Sequence, residues 1–185
     1  NGESFIKKNY INATILRPSV VYSVDDNFTT TFMSTLSKSP IFPLFYNGKT
    51  KFMPIHCSDL TEIIFQIINK NIISTIVECV GPETITFEDI LRRLLNLIEK
   101  KRLLIPLPLK IAKIMGFFLE FLPKPIITLD QLKLLKYNNI PSGKFKTNFD
   151  LNLPSYSNFD FEVEKYCFIW KESGQFSQTK YKKNN

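Results

Sequence analysis

The chain has few of the residues that build metal sites. Its 185 residues include one histidine, His56, and three widely separated cysteines, Cys57, Cys79 and Cys167. A zinc site needs about four nitrogen or sulfur ligands, usually supplied in close pairs, so we expect no metal site. An odd number of dispersed cysteines indicates reduced thiols, which are typical of a cytoplasmic compartment.

Glycine is also scarce. The six glycines are scattered, and the sequence contains no G-x-G-x-x-G turn, no Walker loop and no G-x-S-x-G elbow. Such turns let the backbone approach a phosphate group at a helix N-terminus. We therefore expect no tight binding of NAD(P)H to these residues alone. Because the chain opens at Asn1 and not at a methionine, we interpret it as the carboxy-terminal part of a larger α/β protein, and not as a complete enzyme.

Positive charge exceeds negative charge, but without the pattern of a nucleic-acid-binding surface. The 24 Lys and Arg residues outnumber 17 Asp and Glu residues, which gives a net charge of +7. The excess lies at 7–8, 100–102 and 180–183, and no arginine-rich stripe alternates with aromatic residues, so we expect no nucleic acid partner. Scattered lysines fit a solvated surface, an anionic membrane surface or an acidic protein partner.

Short apolar runs predict β-strands that alternate with helices. Residues 12–22 and 75–80 have the continuous apolar character of buried strands, and shorter extended segments are predicted at 50–55 and 102–105. The proline- and glycine-containing stretch 39–51 is predicted to be a loop. Alternating strands and helices predict an α/β fold with parallel pairing.

Helical spacing of apolar residues predicts three amphipathic helices in the first hundred residues. The first follows the cap residues 25–27, the second is capped by Ser58 or Asp59, and the third is capped by Thr86. The predicted buried face of the second helix is Leu60, Ile63, Ile64, Ile67 and Ile68. The predicted buried face of the third helix is Phe87, Ile90, Leu91, Leu94, Leu95 and Ile98.

The second half of the chain has weaker patterns. Pro108 fits the first turn of a helix that reaches about Phe121, and Thr128 begins a capping box for a helix to about Lys136. From Asn138 onward the sequence is irregular, with one helix predicted near 161–170.

The stretch 107–122 is the most apolar part of the chain. It contains Lys110, Lys113 and Glu120, and prolines flank it, so it does not have the pattern of a bilayer span. Its polar positions form one narrow stripe, which leaves an apolar arc wider than a single core contact requires. Two alternatives follow: the rest of the protein covers this arc, or the helix makes a peripheral membrane contact.

Several segments, in order along the chain, resemble extended short-chain dehydrogenase/reductase-like proteins. The first three are Ala13-Thr-Ile-Leu-Arg-Pro-Ser-Val-Val-Tyr22 with 26–28, Lys51-Phe-Met-Pro-Ile-His-Cys-Ser-Asp-Leu60, and Gly81-Pro-Glu-Thr-Ile-Thr-Phe87. Segments 103–108, 122–125, 130–135 and 153–156 narrow the resemblance further. Together they are similar to the atypical subgroup that contains the NAD(P)H-binding accessory subunit of respiratory complex I and its bacterial relatives.

This resemblance implies a fold and a cofactor. The fold would be the carboxy-terminal portion of a Rossmann-like fold, with the last parallel strands and a mainly helical substrate-side lobe in residues 1–157. Residues 158–185 would be a partly helical extension with a basic tail. The cofactor of the full-length protein would be NAD(P)H. The Tyr-x-x-x-Lys pair of the family would fall before residue 1, so we assign no catalytic residue.

The resemblance also implies cofactor-binding residues. Pro18, Ser19 and Val20 occupy the stretch that packs beside the nicotinamide in such proteins. Proline has no N–H, so the backbone there can pass close to a ring without leaving a donor unsatisfied. Arg17 is either a phosphate contact or an ion-pair partner.

Two further residues, His56 and Tyr22, are assigned to the substrate cleft. For His56 the alternative is a core histidine with satisfied hydrogen bonds. A catalytic pair of His56 with Asp59 is not favoured, because Asp59 is better explained as a helix cap.

Two functions are compatible with these features. The first is an NAD(P)H-binding, largely non-catalytic accessory or assembly factor, cytoplasmic or peripheral on the inner membrane. Its partners would be respiratory complex I or proteins of quinone biosynthesis. The alternative is an active NAD(P)-dependent reductase, dehydratase or epimerase acting on an isoprenoid, sterol or sugar-like substrate. A third class, an interaction segment without a ligand, is also open. A Tyr-x-x-x-Lys pair upstream of residue 1 would favour the active NAD(P)-dependent enzyme.

Overall fold

Strands and helices alternate along the chain. The computed structural model describes residues 2–107 and 135–171. The elements are α1 (Gly2–Asn9), β1 (Ile15–Pro18), β2 (Val21–Tyr22), α2 (Thr29–Lys38), β3 (Ile41–Leu44), β4 (Lys51–Phe52), β5 (Ile55–His56), α3 (Cys57–Asn69), β6 (Ile76–Cys79), β7 (Ile85–Thr86), α4 (Phe87–Leu97), β8 (Leu103–Pro106), β9 (Lys146–Thr147) and α5 (Phe159–Glu164). Three 3₁₀ turns lie at Phe45–Gly48, Phe149–Leu151 and Cys167–Trp170.

The main sheet is parallel and has the strand order β1-β6-β9. Ile15 to Pro18 of β1 pair with Ile76 to Cys79 of β6. All four residues of the central strand β6 are buried, as predicted for 75–80. The prediction of one buried strand over 12–22 was wrong. The structure has two strands there, and β1 is only half-buried because, within the described residues, it pairs on one side alone.

Three smaller strand pairs surround this sheet. Strands β2 and β5 are parallel, β3 and β8 are parallel, and β4 and β7 are antiparallel. The predicted loop over 39–51 is therefore corrected, since β3 lies within it and pairs with the predicted strand β8. Phe42 and Leu44 of β3 are buried. The segment was predicted to be a loop because Pro43 lies between them, and proline is uncommon inside strands.

The first and third predicted helices match α2 and α4. The Asp26 carboxylate accepts hydrogen bonds from the N–H groups of Phe28 and Thr30 at 3.0 and 2.9 Å, and so caps the start of α2. Thr86 accepts from the N–H of Asp89 at 3.1 Å at the start of α4. All six residues of the predicted apolar face of α4, from Phe87 to Ile98, are buried.

Helix α3 differs from its prediction in both its cap and its buried face. The cap residue is His56, whose ring nitrogen accepts from the N–H of Ser58 at 3.4 Å, and the helix begins at Cys57. Ile63 and Ile67 are buried, but Ile68 is 70% exposed and Ile64 is also exposed. Only half of the predicted face packs, because α3 covers the small cluster around β5 and β6 from one side.

The described carboxy-terminal residues join the body of the protein. Phe159, Val163, Tyr166 and Cys167 lie in the same apolar cluster as the buried residues of α2 and α4. The single helix predicted near 161–170 is replaced by α5 and the 3₁₀ turn Cys167–Trp170.

Strand β9 lies in the region that was predicted to be irregular. It pairs with β6, and Asn148 directly after it is fully buried. The Asn148 amide accepts from the N–H of Val80 at 2.8 Å and donates to the carbonyl of Leu153 at 3.1 Å. Asn148 therefore fixes the end of β6 to the following segment.

Gly81 ends the central strand, as the sequence predicted. Its N–H donates to the carbonyl of Met53 at 3.1 Å. A Cβ at this position would collide with the carbonyl oxygen of Pro54, so the close approach of the two segments requires glycine.

Some predictions lie outside the described residues. They are the helices at 108–121 and 128–136, the apolar arc of 107–122 beyond Leu107, and the basic tail at 180–183. Among the helices that the structure does describe, none has the length and apolar character needed to cross a membrane.

Candidate functional site

A cavity of about 390 Å³ opens at the carboxyl ends of β1 and β6. Ligands bind in this position in open parallel α/β sheets. Its walls come from residues 17–20, the start of α2, β4, the end of β6 and the segment 135–141. The volume lies within the range of small-molecule sites.

The stretch 17–20 forms one wall of the cavity, and all four cofactor-binding residues predicted there line it. Ser19 is 6% exposed; its N–H donates to the carbonyl of Cys79 at 2.9 Å and its hydroxyl to the carbonyl of Asn139 at 3.0 Å. The carbonyl of Val20 accepts from the N–H of Ile55 at 2.9 Å. These hydrogen bonds fix the backbone of this wall. Pro18 has no N–H group, so it leaves no donor unsatisfied there.

Arg17 is held by an ion pair. Its Nε and Nη2 atoms donate to the two carboxylate oxygens of Glu3, at 2.9 and 2.5 Å. The guanidinium also lies 4.5 Å from the centre of the Phe145 ring. The hydrogen bonds from Arg17 hold the pKa of Glu3 below its usual range. Of the two alternatives for Arg17, the structure shows the ion pair.

Glu78 is a site residue that the sequence analysis missed. It lies in the centre of the main sheet, is 8% exposed and lines the cavity. Its Oε2 accepts from the N–H of Ser142 at 2.8 Å, and its backbone pairs in register with Arg17. The signal that could have identified it is a single carboxylate in an otherwise apolar buried strand, since burying a charge costs free energy unless it is paired.

Aromatic side chains form another part of the lining. Phe28, Phe32 and Phe52 line the cavity. The ring centres of Phe28 and Phe32 are 5.1 Å apart, and those of Phe28 and Phe52 are 5.8 Å apart. Helical spacing predicted an amphipathic helix after residues 25–27, but not that Phe28 and Phe32 border a cavity.

The segment 135–141 forms the rim and is fixed by hydrogen bonds. The hydroxyl of Thr50 donates to the carbonyl of Leu135. The N–H of Lys51 donates to the Asn138 side chain at 3.0 Å, and the N–H of Asn139 donates to the carbonyl of Lys51 at 2.8 Å. Strand β4 therefore positions the rim.

Tyr22 and His56, the two residues predicted to line the substrate cleft, do not line this cavity. Tyr22 lies in the core, where it contacts Phe159, and the partly exposed His56 ring packs against it with the ring centres 5.1 Å apart. Side chains alternate between the two faces of a strand, and α5 covers the face that carries Tyr22. The assignment of these two residues to a substrate cleft stays a prediction.

The structure pairs His56 with residues other than Asp59. The His56 ring contacts the Ser58 hydroxyl at 2.7 Å, and its Nε2 lies 3.9 Å from Glu162 in α5. Asp59 accepts from the N–H of Ser157 at 2.9 Å. Asp59 therefore fastens the carboxy-terminal segment, and does not cap α3 as predicted.

The thiols lie outside the cavity lining. Cys57, Cys79 and Cys167 are free, and burial raises the pKa of Cys79 to about 11. Throughout 2–107 and 135–171, no three His, Cys, Asp or Glu side chains are grouped as a metal site would require.

In chemical terms, the site combines an apolar aromatic wall with a polar wall. The charged side chains among the described lining residues are Arg17 and Glu78. Such a cavity can bind a flat, partly apolar group and orient it by hydrogen bonds.

The chain is similar in sequence to subunits of mitochondrial complex I. It is 25% identical over 178 residues to Arabidopsis thaliana NADH dehydrogenase (ubiquinone) 1 alpha subcomplex subunit 9, which covers 90% of this chain and 44% of the relative. It is 26% identical over 155 residues to the Neurospora crassa NADH-ubiquinone oxidoreductase 40 kDa subunit, covering 82% of this chain and 40% of the relative. The chain thus spans less than half the length of these relatives. No family model matches it.

The fold is similar to NAD(P)-bound enzymes of about twice the length. Thermus thermophilus UDP-glucose 4-epimerase in complex with NAD has a TM-score of 0.59 at 13% identity, over 91% of this chain and 50% of that one. The dTDP-glucose 4,6-dehydratase of Bacillus anthracis in complex with NAD has a TM-score of 0.59 at 11% identity, over 90% and 47%. At these identities the likeness concerns the fold alone. The chain therefore has the Rossmann-like fold of these NAD(P)-bound proteins, and its sequence resembles subunits of mitochondrial complex I.

Proposed function

We propose that this chain is part of an NAD(P)H-binding accessory protein of respiratory complex I. The observation that carries the proposal is the cavity at the carboxyl ends of β1 and β6, with Pro18, Ser19 and Val20 in its wall. In parallel α/β sheets this edge is where dinucleotides bind. The nicotinamide end of the cofactor would occupy the cavity beside these three residues.

Complex I as the partner is supported by the names of the curated relatives, all of which are subunits of that complex. A peripheral membrane contact through 107–122 remains a second proposal, which rests on the sequence pattern alone.

The phosphate groups of the cofactor would be bound by sequence outside these residues. Pyrophosphate recognition uses a glycine-rich turn that leads into a helix N-terminus. The six glycines in the 185 residues form no such turn. We therefore expect tight binding of NAD(P)H by a longer parent protein and weak or no binding by this chain.

The experiment is a calorimetric titration of NADPH and NADH into the longer parent protein and into this chain. In the parent, Val20→Phe should weaken NADPH and NADH binding roughly tenfold or more, because the added phenylalanine ring fills the cavity and excludes the nicotinamide. A tenfold change in affinity corresponds to about 1.4 kcal/mol. The matched control is Val24→Phe, since Val24 is 55% exposed and does not line the cavity.

Two results would contradict the proposal. One is a parent protein that binds neither NADPH nor NADH. The other is equal affinity for wild type, Val20→Phe and Val24→Phe, which would move the nicotinamide away from this cavity. Low-micromolar binding by the 185-residue chain would overturn the expectation about the phosphate groups.

A further inference from the structure

Helix α3 has an outer face that is apolar. Ile63 and Ile67 pack in the small cluster around β5 and β6, whereas Ile64, Phe65 and Ile68 are exposed. At 3.6 residues per turn these three exposed residues fall within an arc of about 100°, so they form one stripe along the helix. An arc of this width is what a helix presents to a packing partner. Single exposed apolar residues are ordinary, but a continuous stripe marks a contact surface.

Two opposite charges lie on one flank of this stripe. Glu62, Gln66 and Lys70 border the same groove, between α3 and residues 152–156. Gln66 donates a hydrogen bond to the Glu62 carboxylate at 2.8 Å. Glu62 and Lys70 are eight positions apart in the sequence, which is about 12 Å along a helix. In the ranges 2–107 and 135–171, neither residue takes part in an ion pair.

The pattern around Gln66 is symmetrical in position and opposite in charge. Ile64 and Ile68 lie two positions before and after Gln66, and the Glu62 and Lys70 charges lie four positions before and after it. A two-fold axis beside Gln66 reverses the direction of a second helix and keeps each flank against the same flank. Ile64 then meets Ile68 of the second copy. Glu62 meets Lys70 of the second copy at both edges of the contact, and such flanking charges set the orientation of paired helices.

We propose that α3 is an interface between two copies of this chain, which pack antiparallel about a two-fold axis beside Gln66. The apolar stripes meet at the centre, and the two Glu62–Lys70 contacts lie at the edges. Both copies use the same surface, so association through it ends at the dimer. One helix per copy makes a small interface, and we expect a dissociation constant in the micromolar range. The inference goes beyond the proposed function, because it requires neither NAD(P)H nor complex I.

The first test exchanges charges between copies. Glu62→Lys places like charges at both edges of the dimer, and so does Lys70→Glu, so each variant should dimerise roughly tenfold more weakly than the starting chain. An equimolar mixture of the two variants should regain the starting affinity, because each edge again joins opposite charges. Sedimentation velocity from low to high micromolar concentration measures both. The starting chain is the 185-residue chain with Phe5→Lys and Ile11→Lys, since these two residues belong to a separate group of exposed apolar residues.

Matched variants separate the interface from net charge and from general hydrophobicity. Glu164→Lys, Lys144→Glu and their mixture make the same charge changes at exposed residues outside α3, and they should dimerise as the starting chain does. Phe65→Glu should weaken dimerisation roughly tenfold or more. Phe168→Glu should not change it, although Phe65 and Phe168 are 55% and 54% exposed. Circular dichroism checks that each variant is folded. The mixing test changes only exposed charged residues, so it decides the question even if Phe65→Glu fails to fold.

Three results would overturn the proposal. One is a starting chain that stays monomeric up to high micromolar concentration. Another is a mixture of Glu62→Lys and Lys70→Glu that associates no more tightly than either variant alone. The third is a dimer that forms with this chain but not with a longer parent protein that contains it, since the additional sequence would then cover α3. Recovery in the mixture, without a response of the control variants, supports the antiparallel contact.

Discussion

Two buried tyrosines show how the effect of a hydroxyl group depends on its partner. Tyr22 is 1% exposed and Tyr166 is 5% exposed. The Tyr166 hydroxyl lies 2.8 Å from the hydroxyl of Thr29, whereas the Tyr22 hydroxyl has no hydrogen-bond partner in the described part of the chain. Burial raises the pKa of both phenols, so both are neutral over the physiological range.

We expect opposite results from removing these two hydroxyls. Tyr166→Phe should lower the free energy of unfolding by about 1 kcal/mol, because the hydrogen bond to Thr29 is lost while the Thr29 hydroxyl keeps its bond to the Asp26 carboxylate at 2.7 Å. Tyr22→Phe should leave it unchanged or raise it by up to about 1 kcal/mol, because no hydrogen bond is lost. Urea denaturation at neutral pH measures both. A loss of more than about 1.5 kcal/mol for Tyr22→Phe would show that its hydroxyl is bonded in solution.

At the level of single site residues, the sequence predicted one wall of the cavity and not the other. Residues 17–20 were found because they belong to a motif with a resemblance to known proteins. Glu78 and Phe52 belong to no such motif, and hydrophobic periodicity shows whether a residue is buried, not what empty space it borders. Tyr22 and His56 were assigned to a substrate cleft by the same resemblance. The structure buries Tyr22 against α5 and leaves His56 partly exposed beside it, so that assignment stays a prediction.

Among the elements, the long amphipathic ones were predictable. Helix α4 has a cap residue and six apolar residues at helical spacing, so local sequence and tertiary packing agree. The two-residue strand β9 and the proline-containing β3 were missed, because their pairing depends on partners distant in sequence. For helix α3 the sequence predicted the helix but overestimated its buried face, since the spacing of apolar residues does not show how wide a surface the helix packs against.

The turn after β9 depends on one carboxylate. Asp150 accepts from the N–H and the hydroxyl of Thr147 at 2.8 and 2.9 Å. These hydrogen bonds, the backbone one first, lower the pKa of Asp150 below its usual value of 3.8. A carboxyl group with a lowered folded-state pKa stabilises the fold above its unfolded-state pKa, and this contribution disappears as the pH falls through the folded-state value.

We therefore expect Asp150→Ala to destabilise the protein at pH 7, by an amount that decreases as the pH falls below about 4. The free energy of unfolding of wild type and variant, from urea denaturation across this range, gives the difference at each pH. Asp25→Ala is a control at an exposed aspartate. A difference between wild type and Asp150→Ala that does not shrink below about pH 4 would show that the carboxylate is not responsible.

At the scale of the whole molecule, one group of exposed apolar residues in the described part of the chain lies near β1. Helix α1 buries none of its residues, and Phe5, Tyr10 and Ile11 are 66%, 65% and 83% exposed. The Ser74 hydroxyl donates to the carbonyl of Ile11 at 2.8 Å, which brings the exposed Ile73 to the same surface. In the described residues no strand pairs with the outer side of β1. An open strand edge next to exposed apolar side chains favours association between chains.

We therefore expect the 185-residue chain to self-associate with increasing concentration. Sedimentation velocity should show a rise in mean mass between low and high micromolar concentrations. Ile11→Lys with Phe5→Lys should shift the chain towards monomer, because two added charges at the edge must be desolvated on association. Val24→Lys, at a residue that is 55% exposed but belongs to the β2–α2 connection, should not. A wild-type chain that stays monomeric over this range would show that the α1–β1 surface is stable in water without a partner. If Val24→Lys shifts the chain towards monomer as much as the double variant does, the change in net charge, and not this surface, controls the association.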